Sequence, residues 1–160
     1  MLMAQDPRHA ISRAEFFLDK ARSCSADARA EFEAFLEASI VFARGAEHRF
    51  NSEYEKHRGW KAVWDSWATE PAVEFFRKER DWILKEAPPR IGQKLFAASA
   101  SPSMAADFYY YDDPGTPATA TVERHLARLL GLLTTAERTF QTRGKGGRTS
   151  ACTQRRLVRT

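Results

Sequence analysis

The chain has 160 residues, 43% of them hydrophobic and 12% aromatic, which suits one domain with a real core. Its net charge of +4 is unevenly placed: of 25 basic residues, Arg143, Lys145, Arg148, Arg155, Arg156 and Arg159 fall in the last 20 positions, leaving 19 bases against 21 acids in residues 1–140. A body with a net charge of −2 argues against a broad nucleic-acid-binding face.

Eleven Phe and four Trp argue against disorder. The longest apolar runs, Ser39–Ala43 and Leu129–Leu133, are too short to span a bilayer. The N-terminus lacks the basic region and apolar block of a signal peptide. Cys24 and Cys152 are the only cysteines, so no disulfide framework is expected. The expectation is a cytoplasmic protein with no membrane contact.

Asp6-Pro7 opens the first helix, Asp as N-cap and Pro at the first helical position. Ala10, Ile11, Ala14, Phe17, Leu18 and Ala21 then form one apolar stripe to about Arg22. A longer helix runs from about Ala26 to His57. Phe32, Phe35, Leu36, Ser39, Phe42, Ala43, Ala46 and Phe50 fall within about 120° of arc, and Ala34, Ala38, Val41 and Gly45 form a second, small-residue face. Two apolar faces predict a central helix with partners on both sides.

Arg58-Gly59 permits a bend before a short helix with Trp60, Val63, Trp64 and Trp67 on one face. Pro71 starts a further long helix, to about Glu86, which Pro88-Pro89 stops. Helical period is lost over residues 90–118. Arg90–Phe96 and Phe108–Tyr111 are expected as a short hairpin, and Asp112-Asp113-Pro114-Gly115 as a turn. The last helix, about Thr119 to Phe140, carries the stripe Val122, Leu126, Leu129, Leu133, Ala136 and Phe140. Residues 141–160 read as a disordered basic tail. The expected fold class is all-α: an antiparallel four-helix bundle over residues 1–140, with a short irregular or hairpin excursion before the last helix.

Arg80 is the anomaly. Val73, Phe76, Ile83 and Leu84 flank its angular position, which puts a guanidinium inside an apolar arc, where it needs an acidic or carbonyl partner or an interface. Asp81 and Lys85, on the polar side, have the spacing of a favourable surface pair.

The stretch Phe75-Phe76-Arg77-Lys78-Glu79-Arg80-Asp81-Trp82-Ile83-Leu84-Lys85-Glu86 resembles the third-helix signature of HEPN domains, and Phe35–Arg44 resembles the long helix of that family. The resemblance covers about residues 6–140. It implies a helical bundle, a homodimer and, in active members, a metal-independent ribonuclease in which Arg and His from two protomers act on the 2′-hydroxyl and the scissile phosphate. Arg80 matches the family's arginine and Asp81 the polar residue after it. The family's histidine has no counterpart: positions 84–87 are Leu, Lys, Glu and Ala. Lys85 would hold a phosphate but is a poor base at neutral pH. Arg80, Asp81 and Lys85 are therefore the candidate catalytic residues of a degenerate motif. The expected function is a non-catalytic binding or scaffolding module. Two alternatives remain: a toxin-like ribonuclease using Arg80, and a single-stranded RNA binder using the tail and the tryptophans.

No cofactor or metal is expected, since no glycine-rich phosphate loop is visible and His48 and His57 lie on different sides of one helix. His125, at the margin of the last stripe, reads as a half-buried structural histidine. The Trp60-Trp64-Trp67 stripe and Phe108–Tyr111 read as core and strand before they read as base-stacking platforms.

Overall fold

The computed structural model describes residues 6–85, 90–97 and 104–145, with the side chains of 96–97, 104–106 and 141–145 excepted. Helix α1 spans Pro7–Arg22; Asp6 caps it by accepting from the Arg8 N–H at 2.9 Å. Its buried residues Ala10, Ile11, Ala14, Leu18 and Ala21 pack on α2, Arg29–Tyr54, which also meets α4 and α5. Gly59, with φ of +88°, turns the chain into α3, Trp60–Trp67, in a left-handed conformation that glycine adopts without strain. Helix α4 spans Pro71–Leu84 and α5 spans Ala118–Lys145.

Between α4 and α5 lie three antiparallel strands in the order β1-β2-β3: Ile91–Ala97, Met104–Tyr110 and Asp113–Pro117. Ile91 pairs with Tyr110 and Gln93 with Phe108. This alternation turns Ile91, Phe108 and Tyr110 into the core. Two hydrogen bonds tie the sheet to the start of α2: Arg29 donates to the Ile91 carbonyl at 2.8 Å, and Gln93 of β1 donates to that of Ala26 at 2.6 Å. Phe32 stacks on Phe108 with ring centres 4.0 Å apart.

Among the described residues, five helices and a three-stranded sheet make a mixed α/β architecture, which corrects the all-α four-helix expectation. The hairpin is present, but of the segment that reads as a turn, Asp112 to Gly115, only Asp112 lies in one, and the rest belongs to the strand Asp113–Pro117. Its prolines are tolerated because β3 is an edge strand, where a missing N–H breaks no inner ladder. A register irregularity at Tyr109/Tyr110 lets it pair with β2. Helix α5 also continues five residues beyond Phe140, and the rest of the basic tail lies outside the described residues.

The second face of α2 differs as well. Ala34 and Val41 are exposed, and apart from the adjoining backbone of α2 no described atom lies within 4 Å of where a Cβ on Gly45 would stand. The helix instead buries one broad arc from Phe32 through Leu36, Ile40 and Ala43 to Phe50 and Tyr54. Among the described residues no helix is long and apolar enough to cross a membrane.

Candidate functional site

The degenerate motif does not assemble a site of its own. The Arg80 side chain is 39% exposed and donates to the carboxylate of its neighbour Asp81 at 3.2 Å. Lys85 lies exposed at the C-cap of α4. The placement of Arg80 inside the apolar arc is thus corrected: the buried side chains of α4 are Ala72, Val73, Phe76 and Glu79. The buried charge is Glu79, one residue earlier, at 7% exposure.

Glu79 belongs to a cleft of about 510 Å³ walled by α4, the sheet and the first turns of α5. Helical spacing brings Glu74, Phe75, Lys78 and Glu79 to this side of α4, and Thr121, Arg124 and His125 to the facing side of α5. The sheet supplies Arg90, Tyr110, Asp112 and Asp113. Arg90 organises the centre: it donates to Glu79 at 3.0 Å and to Asp112 at 2.8 Å, and it lies over the Trp82 ring at 5.5 Å. Its carbonyl accepts from the Tyr111 N–H at 3.0 Å, which fixes the hairpin base.

Burial raises the Glu79 carboxyl above the usual range, while Arg90 pulls it back. Burial also raises the Tyr110 phenol, and the charge of Glu79 adds to it. His125 stacks on Phe75 with ring centres 4.3 Å apart; burial and Arg124 lower its pKa, so it is neutral at pH 7. The hydroxyls of Tyr110 and Thr121 are buried without a hydrogen-bond partner among the described residues. Behind Glu79, Arg90 and Tyr110 an inner chamber of about 30 Å³ opens towards Leu36, Ile40 and Ile83.

The arrangement suits binding better than covalent chemistry. Thr121 lies one helical turn from His125, yet its hydroxyl has no partner, so these two form no nucleophile–base pair. Among the described residues no group of three or more His, Cys, Asp or Glu is placed to hold a metal ion.

The other sequence candidates fall elsewhere. His57 packs against Tyr54 and Phe140. Trp60 and Trp67 are core residues around Phe50, with Trp60 donating to Asn51 at 2.8 Å. His48 is the unexpected neighbour of the motif. Burial lowers its pKa, with the charges of Arg44 and Arg80 adding and Asp81 opposing, so it stands within electrostatic reach of Arg80 across the α2–α4 contact.

Of the cleft residues, the sequence singles out His125 as structural and Tyr110 as part of a strand, while Phe75, Lys78 and Glu79 enter only within the HEPN-like stretch and without a role. The 72–73–76–79 spacing on α4 carries a signal for Glu79. Arg90, Tyr110 and Asp112 meet only through the strand register. Set beside family models, curated proteins and solved structures, the chain matches none of them.

Proposed function

We propose that this chain is a HEPN-like domain without ribonuclease activity, working in the cytoplasm as a homodimeric binding module whose ligand site is the α4–α5 cleft. The observation that carries the reading is the separation of the motif from the cleft. Arg80 is held by its own neighbour, Lys85 caps an exposed helix end, and neither lines the cleft. Five residues on one helix turn them about 140° apart, so they do not converge on one phosphate. Trp82 and Leu84, exposed at 39% and 59% beside the motif, support pairing with a second copy. The buried Trp60 and Trp67 lend nothing to a single-stranded RNA reading.

A second reading, a metal-independent ribonuclease, draws on His48. This imidazole is exposed on α2, neutral at pH 7 and near enough to Arg80 for that charge to lower its pKa, which makes it the candidate base of this reading. Metal-free RNA-cleavage assays on wild type, Arg80→Ala and His48→Ala separate the two, with light scattering for the oligomeric state. The binding-module reading expects no cleavage from any of the three and a dimer in solution. Wild-type cleavage lost in both variants would replace it with the ribonuclease.

A further inference from the structure

The charge balance of the cleft selects among ligands. Four carboxylates line it, Glu74, Glu79, Asp112 and Asp113, against Lys78, Arg90 and Arg124. Each cation is already engaged: Lys78 with Glu74 at 2.6 Å, Arg124 with Asp113 at 4.0 Å, and Arg90 with both Glu79 and Asp112. One guanidinium therefore serves two carboxylates, and the surplus negative charge lies on the Glu79–Asp112 side. Glu79 is 7% exposed, in a setting where the field of a charge is weakly screened. An anion would meet this surplus, and among the described lining residues each cation that could receive it already stands in an ion pair.

Hydrogen-bonding capacity points the same way. Tyr110 and Thr121 line the cleft at 4% and 6% exposure, and neither hydroxyl has a partner among the described residues. A hydroxyl oxygen offers two acceptor lone pairs, and burying it unpaired is unfavourable, so both are ready for N–H donors. Phe75 meets Tyr110 edge-on at 5.8 Å and His125 face to face, adding an aromatic wall of the kind that attracts cations.

We propose that this cleft binds a small organic cation, a primary amine or guanidinium, whose N–H groups are taken by Glu79, Asp112 and the hydroxyls of Tyr110 and Thr121. The proposal rests on the reading of the cleft as the ligand site of a non-catalytic module. The inner chamber has room for only one or two water-sized groups, so the body of the ligand stays in the outer cleft.

The test is calorimetric titration and thermal shift on the full chain, in physiological salt. Agmatine and spermidine serve as cationic probes and succinate as the anionic one. Wild type should bind at least one cation saturably and should ignore succinate. Asp112→Asn, at a side chain 66% exposed, and Tyr110→Phe should each weaken that binding by about tenfold or more. Asp65→Asn, in a remote exposed pair on α3, should leave it unchanged. Melting curves without ligand confirm that each variant folds. Saturable cation binding lost in both cleft variants supports the proposal. It is overturned if folded wild type binds neither cation up to millimolar concentration, or if Asp112→Asn and Tyr110→Phe bind as wild type does. Succinate binding that excludes the cations would overturn the ligand class while leaving a binding module in place. RNA cleavage that depends on Arg80 would instead remove the non-catalytic reading, whatever the cleft binds.

Discussion

Glu47 offers a test of the interior that titration alone can read. Its side chain is 1% exposed in the middle of α2, with one carboxylate oxygen paired to Arg44 and the other buried without a partner. Burial pushes its pKa up from 4.5 to about 7, against the opposing pull of Arg44 and Arg77. Between those two values the folded chain holds a proton that the unfolded chain has released. Its contribution is therefore fully present below about pH 4.5 and is lost as pH rises towards 7. A span of about 2.5 pH units, at about 1.4 kcal/mol each, amounts to about 3 kcal/mol. Glu47→Gln keeps the shape and removes the titration. Urea unfolding of wild type and variant at about pH 4.5, 6 and 8 gives the assay. The readout is the difference between the two proteins, in which the titration of His48, lowered by burial, cancels to first order. Relative to wild type the variant should gain about 3 kcal/mol across that range, on top of a constant offset from leaving Arg44 without its carboxylate. A difference that does not change with pH would refute the reasoning, because Glu47 would then ionise as it does in the unfolded chain.

Four further outcomes follow from the packing and the ion pairs. Leu129, fully buried on α5, should cost about 2–5 kcal/mol when changed to Ala, read by urea unfolding. A Cβ on Gly92 would come within 2.5 Å of the ring of its cross-strand partner Tyr109, so Gly92→Ala should displace that ring and cost about 1 kcal/mol; in the Tyr109→Ala background the cost should vanish. Arg90→Ala leaves Glu79 buried without its cation and should destabilise by about 3 kcal/mol, at the low end for buried pairs because Arg90 is itself 34% exposed. Arg80→Ala removes only an exposed pair and should cost about 1 kcal/mol or less by the same urea unfolding.

The helices were legible because each has its own period and its own punctuation. Asp6-Pro7 opens α1 as its capping chemistry requires, and the stripe from Val122 to Phe140 is buried along α5. The second face of α2 misled because Ala34, Ala38, Val41 and Gly45 are small enough to admit a neighbouring helix without compelling one to come. The third strand was hidden for a different reason. Asp-Pro-Gly-Thr-Pro is turn chemistry taken alone, and only the neighbouring edge of β2 makes it a strand. That pairing is a property of two segments together, which no local pattern in either records.

The site turns on one helical position. Counting Leu84 among the apolar flank of α4 centres the arc about 10° from Arg80, whereas counting Ala72 in its place moves the centre about 30° towards Glu79, at about 100° per residue. Leu84 is the last residue of α4 and is 59% exposed, beyond what the helix packs against, while Ala72 is 1% exposed under the fold. The ends of a helix therefore weigh unequally, and the buried charge is an acid instead of a base. An acid there needs a cation from another element, and Arg90 at the start of the hairpin supplies it. The register that pairs Ile91 with Tyr110 then carries the Tyr110 phenol and Asp112 to the same place. The cleft thus follows from Glu79 being inside: a buried carboxylate draws in Arg90, Arg90 draws in Asp112, and the surplus acid left among the three gives the pocket its sign.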